Sequence, residues 1–134
     1  FDAIIIDSTD VCEEAHAGAQ TANPLVTDAF YADIKKAIKP NGVTCQMLGS
    51  PTFYTNGMSL MYHRLADLFT HFKPFLMPCP FYISGDWCGG IFSDDNPLEP
   101  KFEHVAPEKL VYFNPDIAKG ALALPNNVRA LMKS

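Results

Sequence analysis

The chain has 134 residues, 48% of them hydrophobic and 19% charged, with a net charge of −5. This is enough apolar material for one core of ordinary domain size, and no apolar run approaches the roughly 18 residues that a membrane span requires. The acidic balance argues against a nucleic-acid partner and suits a cationic ligand.

Four widely spaced cysteines, Cys12, Cys45, Cys79 and Cys88, include no C-x-x-C pair and no histidine at ligand spacing. They read as reduced thiols of a cytoplasmic-type protein, and no metal site is expected.

In chain order, the first element is the apolar run Ala3-Ile4-Ile5-Ile6, which feeds directly into Asp7-Ser8-Thr9-Asp10. β-Branched residues bounded by polar ones predict a strand buried on both faces, as in a parallel sheet. In open α/β sheets ligands bind outside the carboxyl ends of the strands, so both acids are candidates for chemistry. Only Phe1 and Asp2 precede this strand, and an N-terminal part of a longer domain is therefore expected to be missing. The segment from Val11 to Val26 has no clean period and predicts a long loop, placed to act as a lid or simply to run over the surface.

Thr27 is a fitting N-cap for a helix with Asp28 in its first turn and an apolar stripe of Phe30, Ile34, Ala37 and Ile38. Tyr31 is assigned to the helix surface, without a role. Pro40-Asn41-Gly42 ends the helix, and Val43 to Met47 predicts a second buried strand, giving a βαβ unit of a parallel sheet. Gly49-Ser50-Pro51 is then expected on the same rim as Asp7 and Asp10 if the two strands are parallel neighbours. A second helix is predicted from about Gly57 to Thr70, with Met58, Met61, Leu65, Leu68 and Phe72 on its apolar face.

Lys73 to Phe81 is apolar but interrupted by Pro74, Pro78 and Pro80, which demotes it to an edge strand or an irregular extended segment. Turn chemistry at Ile83-Ser84-Gly85-Asp86 precedes a strand from Trp87 to Ser93, so an antiparallel hairpin is expected with Tyr82 and Trp87 near its turn. An aromatic pair there could wall a cationic or apolar substrate. Asp94 to Leu110 predicts a loop, and Pro125 opens a last helix with Val128, Leu131 and Met132 on its apolar side. There is no internal repeat.

Asp7-Ser8-Thr9-Asp10, Thr27-Asp28-Ala29-Phe30-Tyr31, Lys39-Pro40-Asn41-Gly42-Val43, Gly49-Ser50-Pro51, Tyr82-Ile83-Ser84-Gly85-Asp86-Trp87 and Tyr112-Phe113-Asn114-Pro115-Asp116-Ile117 occur in the order found in spermidine synthases. The chain resembles the C-terminal half of that polyamine aminopropyltransferase family over nearly its whole length. The resemblance implies an α/β fold with a Rossmann-like sheet of the S-adenosylmethionine-methyltransferase type. Only the latter half would be present, ending in the antiparallel hairpin, with residues 1–134 forming the C-terminal part of one catalytic domain.

It also implies transfer of the aminopropyl group of decarboxylated S-adenosylmethionine to putrescine, giving spermidine and methylthioadenosine, in a cytoplasmic homo-oligomer. Decarboxylated S-adenosylmethionine would be a co-substrate, with no cofactor. By motif position Asp7 corresponds to the acid at the attacking amine, and Ser8, Asp10, Tyr82 and Trp87 to substrate-binding positions. A carboxylate suits that place because a protonated amine is no nucleophile until its proton is accepted or relayed.

Departures from the family pattern are specific. Val11 follows the acidic cluster where a proline and a short Gly-Pro-Ala loop are usual, and Ile83 replaces a proline beside Tyr82. Ala118 stands where a histidine is common, and Met47-Leu48-Gly49 occupies the place of a Gln-Gly-Glu whose acid would hold the distal amine. No Gly-rich nucleotide loop is present, so the 134 residues alone are expected to be inactive. A noncatalytic homologue that binds or regulates an active polyamine synthase is the alternative.

Overall fold

The computed structural model describes residues 1–8, 24–99, 101 and 106–133. Asp10, Cys12 and residues 11–23 of the loop expected from Val11 to Val26 lie outside the described residues, and its end, Pro24–Val26, is a short 3-10 turn. Eight elements follow in order: β1 (Ala3–Ile6), α1 (Asp28–Ala37), β2 (Val43–Gly49), α2 (Thr55–Leu68), β3 (His71–Cys79), β4 (Gly85–Ser93), α3 (Pro115–Ala121) and α4 (Asn126–Leu131). Short 3-10 turns occur at Pro24–Val26 and Pro107–Lys109.

The four strands form one mixed sheet in the order β1-β2-β4-β3. β1 and β2 are parallel neighbours joined by α1, and β4 runs antiparallel to both β2 and β3. This is the expected βαβ unit followed by the expected hairpin. β3 lies at the sheet edge, where Pro74 and Pro78 need not supply a ladder N–H.

Local sequence explains the helices. Thr27 caps α1, its Oγ1 accepting a hydrogen bond from Phe30 N at 3.2 Å, while Lys35 and Lys36 occupy the negative end. Chain reversal after α1 uses Asn41 at φ 61, a left-handed conformation that asparagine tolerates. The turn into α2 is tied by Ser50 Oγ, which accepts from both Thr52 N and Phe53 N.

The core lies on one face of the sheet. Thr44, Gln46 and Leu48 alternate inward along β2 and meet Tyr31 and Ile34 of α1, Met58, Met61 and Leu65 of α2, and Val128 of α4. Tyr31 is fully buried, contrary to its assignment to the helix surface: it packs edge-on against Phe69 and Phe92. Phe72, assigned to the face of the second helix, belongs to β3, because α2 ends at Leu68 and the strand begins at His71. It still reaches the helical layer, with its ring 5.2 Å from that of Tyr62.

The opposite face departs most from expectation. Among the described residues β1 is an edge strand and Ile5 is 79% exposed, where burial of Ala3–Ile6 on both faces was expected. Val43, Cys45, Phe75 and Ile91 line a cavity of about 800 Å³ on this side, bounded by Tyr112, Ile117, Ala121 and Leu122. Within that boundary, α3 was not anticipated. Asn114 caps it by accepting from Asp116 N and Ile117 N, and Pro115 opens it, yet none of its residues is buried.

Candidate active site

β1 and β2 run parallel, so Asp7 and Ser8 emerge at the same rim as the end of β2. There β2 bulges between Met47 and Gly49, and Gly49 adopts φ +119, a conformation that L side chains rarely take. Residues 88–92 of β4 pair with β2, whereas Gly85, Asp86 and Trp87 pair only with β3. The hairpin therefore projects beyond the end of β2 and walls the rim.

A cavity of about 330 Å³ occupies this corner. Ile5, Ile6, Asp7 and Ser8 border it from β1, Cys45 and Met47 from β2, and Met77, Cys79, Tyr82 and Trp87 from the hairpin. Of the five predicted site residues the structure brings four together, Asp7, Ser8, Tyr82 and Trp87; Asp10 is outside the described residues. Asp7 is exposed and Ser8 half-buried. The Tyr82 and Trp87 rings lie 4.5 Å apart at 33°, close to an offset stack. Trp87 is only 6% exposed, and Tyr54 also meets it edge-on at 6.2 Å.

The larger cavity on the open sheet face holds neither Asp7 nor the aromatic pair. Its lining is mainly apolar, with Asp86, Glu99 and Asp116 as its acids. Asp86 Oδ1 is buried without a hydrogen-bond partner among the described residues. Size alone would favour that cavity; the strand-end carboxylate and the facing aromatics favour the smaller one, because chemistry needs convergent polar groups.

Electrostatics separate the thiols from the acid. Burial raises the Cys45 thiol, while burial and then the Asp86 charge push Cys88 up to about 12. Both are thus protonated at neutral pH and poor nucleophiles. Asp7 is the one carboxylate among the described lining residues. Such an arrangement can receive a proton or a hydrogen bond from a cationic amine at Asp7, hold a methylene chain against Met47 and Met77, and face a cation with aromatic rings.

Met77, Cys79 and Tyr54 were not singled out from sequence. The alternation Phe75-Met77-Cys79 carries a period-2 signal, but which face it meets depends on pairing with β4.

Residues 1–101 match the model of the spermine/spermidine synthase domain. A polyamine aminopropyltransferase of Thermoplasma volcanium is 34% identical over 134 residues, covering 98% of this chain and 44% of that relative. One from Clostridium perfringens is 31% identical over 139 residues, covering 100% of this chain and 47% of that relative. Among solved structures, a spermidine synthase in complex with the transition state analogue AdoDATO superimposes with a TM-score of 0.79 at 29% identity, over 98% of this chain and 44% of that one. Spermidine synthase from Thermotoga maritima gives 0.79 at 28% identity, over 98% and 43%. The chain spans less than half the length of these relatives, and its four-stranded mixed sheet is that part of their methyltransferase-like fold. The chain belongs to the spermine/spermidine synthase domain family.

Proposed function

We propose that this chain supplies the acceptor side of an aminopropyltransferase site that uses decarboxylated S-adenosylmethionine and putrescine. The observation that carries this reading is the convergence of Asp7, Tyr82 and Trp87 on one cavity at the carboxyl ends of β1 and β2, in a member of this family. Asp7 accepts the proton of the attacking ammonium, and Ser8 offers a hydroxyl beside it. The freed amine attacks the aminopropyl carbon attached to the sulfonium. A C–N bond forms as the C–S bond breaks, the bonding pair returns to sulfur, and methylthioadenosine leaves. Tyr82 and Trp87 flank the diamine chain and disfavour water.

The donor's nucleoside has no visible cradle among the described residues, and the reading assigns it to the remainder of a full-length catalytic domain. It also places the protein in cytoplasmic polyamine biosynthesis as a homo-oligomer.

The test is release of methylthioadenosine from the protein carrying this chain, supplied with decarboxylated S-adenosylmethionine and a panel of amines. Turnover with putrescine, abolished by Asp7→Asn with folding intact, is the expected result. Turnover that Asp7→Asn leaves unchanged removes Asp7 from its role.

A second reading, a noncatalytic homologue, is favoured by Gly49. Its φ of +119 suits no acidic side chain where the family pattern has one to hold the distal amine. Amine binding without methylthioadenosine release would select it.

A further inference from the structure

We propose that Tyr54 is a positioning residue for the acceptor pocket, holding the indole of Trp87 against Tyr82 so that both rings face the cavity bordered by Asp7. The inference rests on the acceptor-site reading above and adds a residue to it.

Tyr54 occupies the N-cap position of α2, where Ser, Thr, Asp or Asn would ordinarily satisfy a free backbone N–H; its side chain makes no such bond. A local rule is thus broken, and the side chain is spent elsewhere. Its ring meets Trp87 at 6.2 Å and 63°, an edge-to-face contact, while the Tyr82 ring lies 4.5 Å from the same indole. Trp87 therefore packs against two tyrosines, and the three rings form the clamp. Tyr82 and Trp87 border the cavity whereas Tyr54 does not, so Tyr54 acts through Trp87.

The backbone around Tyr54 is fixed to the rim. Its N–H donates to Ser50 O at 3.0 Å, and its carbonyl accepts from Met58 N at 2.9 Å. Gly49 lies against Tyr54, at a backbone φ of +119 that L side chains rarely adopt, and a Cβ there would meet Tyr54 Cβ at an ordinary contact distance of 3.6 Å. The bulge that ends β2 and the aromatic clamp are thus one unit: the strand end carrying Gly49 also seats the ring that backs Trp87.

Trp87 is the one tryptophan of these 134 residues, and in the protein carrying this chain its emission is isolated as the difference from the matching Trp87→Phe protein, so that it reports the clamp. The experiment compares wild type, Tyr54→Phe and Tyr54→Leu by Trp87 emission, by acrylamide quenching, and by titration with putrescine in the presence of methylthioadenosine. Circular dichroism monitors the fold. Tyr54→Leu is expected to red-shift the emission, increase quenching and weaken putrescine about three- to tenfold, the scale of one aromatic contact. Tyr54→Phe keeps the ring and is expected to stay within about twofold of wild type.

Wild-type emission and quenching in Tyr54→Leu overturn the proposal, as does a loss in Tyr54→Phe equal to that in Tyr54→Leu. Should Tyr54→Leu fail to fold, Tyr54→Met is read by the same criteria. A wild-type protein that gives no saturable response to any amine overturns the acceptor-site reading instead, and with it the role assigned to the clamp. The emission shift then decides only whether the clamp exists.

Discussion

Tyr31 Oη donates a 2.8 Å hydrogen bond to Gln46 Oε1, joining α1 to the middle of β2 with both side chains buried. Phe69 and Phe92, whose rings are 4.5 Å apart, both pack edge-on against Tyr31. The Tyr31–Gln46 pair ties the crossover helix to β2, while the parallel register of β1 on β2 sets where Asp7 emerges.

Removing the hydroxyl leaves the buried Gln46 Oε1 without its donor, whereas removing both side-chain polar groups leaves neither member of the pair unmatched and gives up only the 3.4 Å bond from Gln46 Nε2 to Leu25 O. Tyr31→Phe is expected to destabilise by about 1–3 kcal/mol, and adding Gln46→Leu to recover part of that loss. Urea unfolding of the two single variants and the double variant measures the coupling; strictly additive losses would contradict it.

Alkaline pH is expected to weaken the fold. Burial raises Tyr31 from its ordinary 10.0 to about 12, and burial followed by the Asp86 charge raises Cys88 from 9.0 to about 12. Both groups are neutral when protonated, and the folded state holds those protons more tightly than the unfolded chain. Their contribution is therefore complete below about pH 9 and falls as pH rises toward 12, by about 1.4 kcal/mol per pH unit for each group inside its window. Urea midpoints at pH 8 and pH 11 test this, with the lower midpoint expected at pH 11.

Gly89 and Gly90 lie on opposite faces of β4, and their substitution should have unequal cost. A Cβ on Gly90 would fall 2.5 Å from the Phe72 ring and 3.4 Å from Leu48, within the helix-covered core. One on Gly89 would fall 2.3 Å from Phe75, whose ring borders the open cavity and has room to turn. Gly90→Ala is expected to cost about 1–3 kcal/mol and Gly89→Ala less. Thermal unfolding in the reverse order would show that the open face is the more tightly packed one.

Ile5→Lys separates stability from binding. Ile5 is 79% exposed, so the change should alter stability by no more than about 0.5 kcal/mol. Ile5 also borders the cavity of Asp7, where a new ammonium competes with a cationic acceptor. Putrescine affinity should therefore fall, most strongly at low salt. An unchanged affinity would place the acceptor elsewhere.

The amino-acid sequence by itself determined the elements that obey local rules. Thr27 and the stripe ending in Ile38 specify α1, Pro74 and Pro78 confine β3 to an edge, and Tyr82 to Trp87 marks the hairpin turn. Asp7 is legible at a strand end because an apolar run stops there. α3 carried its start signal in Asn114-Pro115 but had no apolar stripe to announce it, since none of its residues is buried. Tertiary structure alone decided the rest. Whether Ile5 is covered depends on which strands flank β1, whether Tyr31 faces solvent depends on how α1 rotates over β2, and Met77 and Cys79 reach Asp7 only because the hairpin overhangs β2. The clamp of Tyr54, Trp87 and Tyr82 likewise needs strand register. Helix caps and turns act within a few residues, whereas register and burial are set by pairings between residues tens of positions apart, which no local pattern encodes.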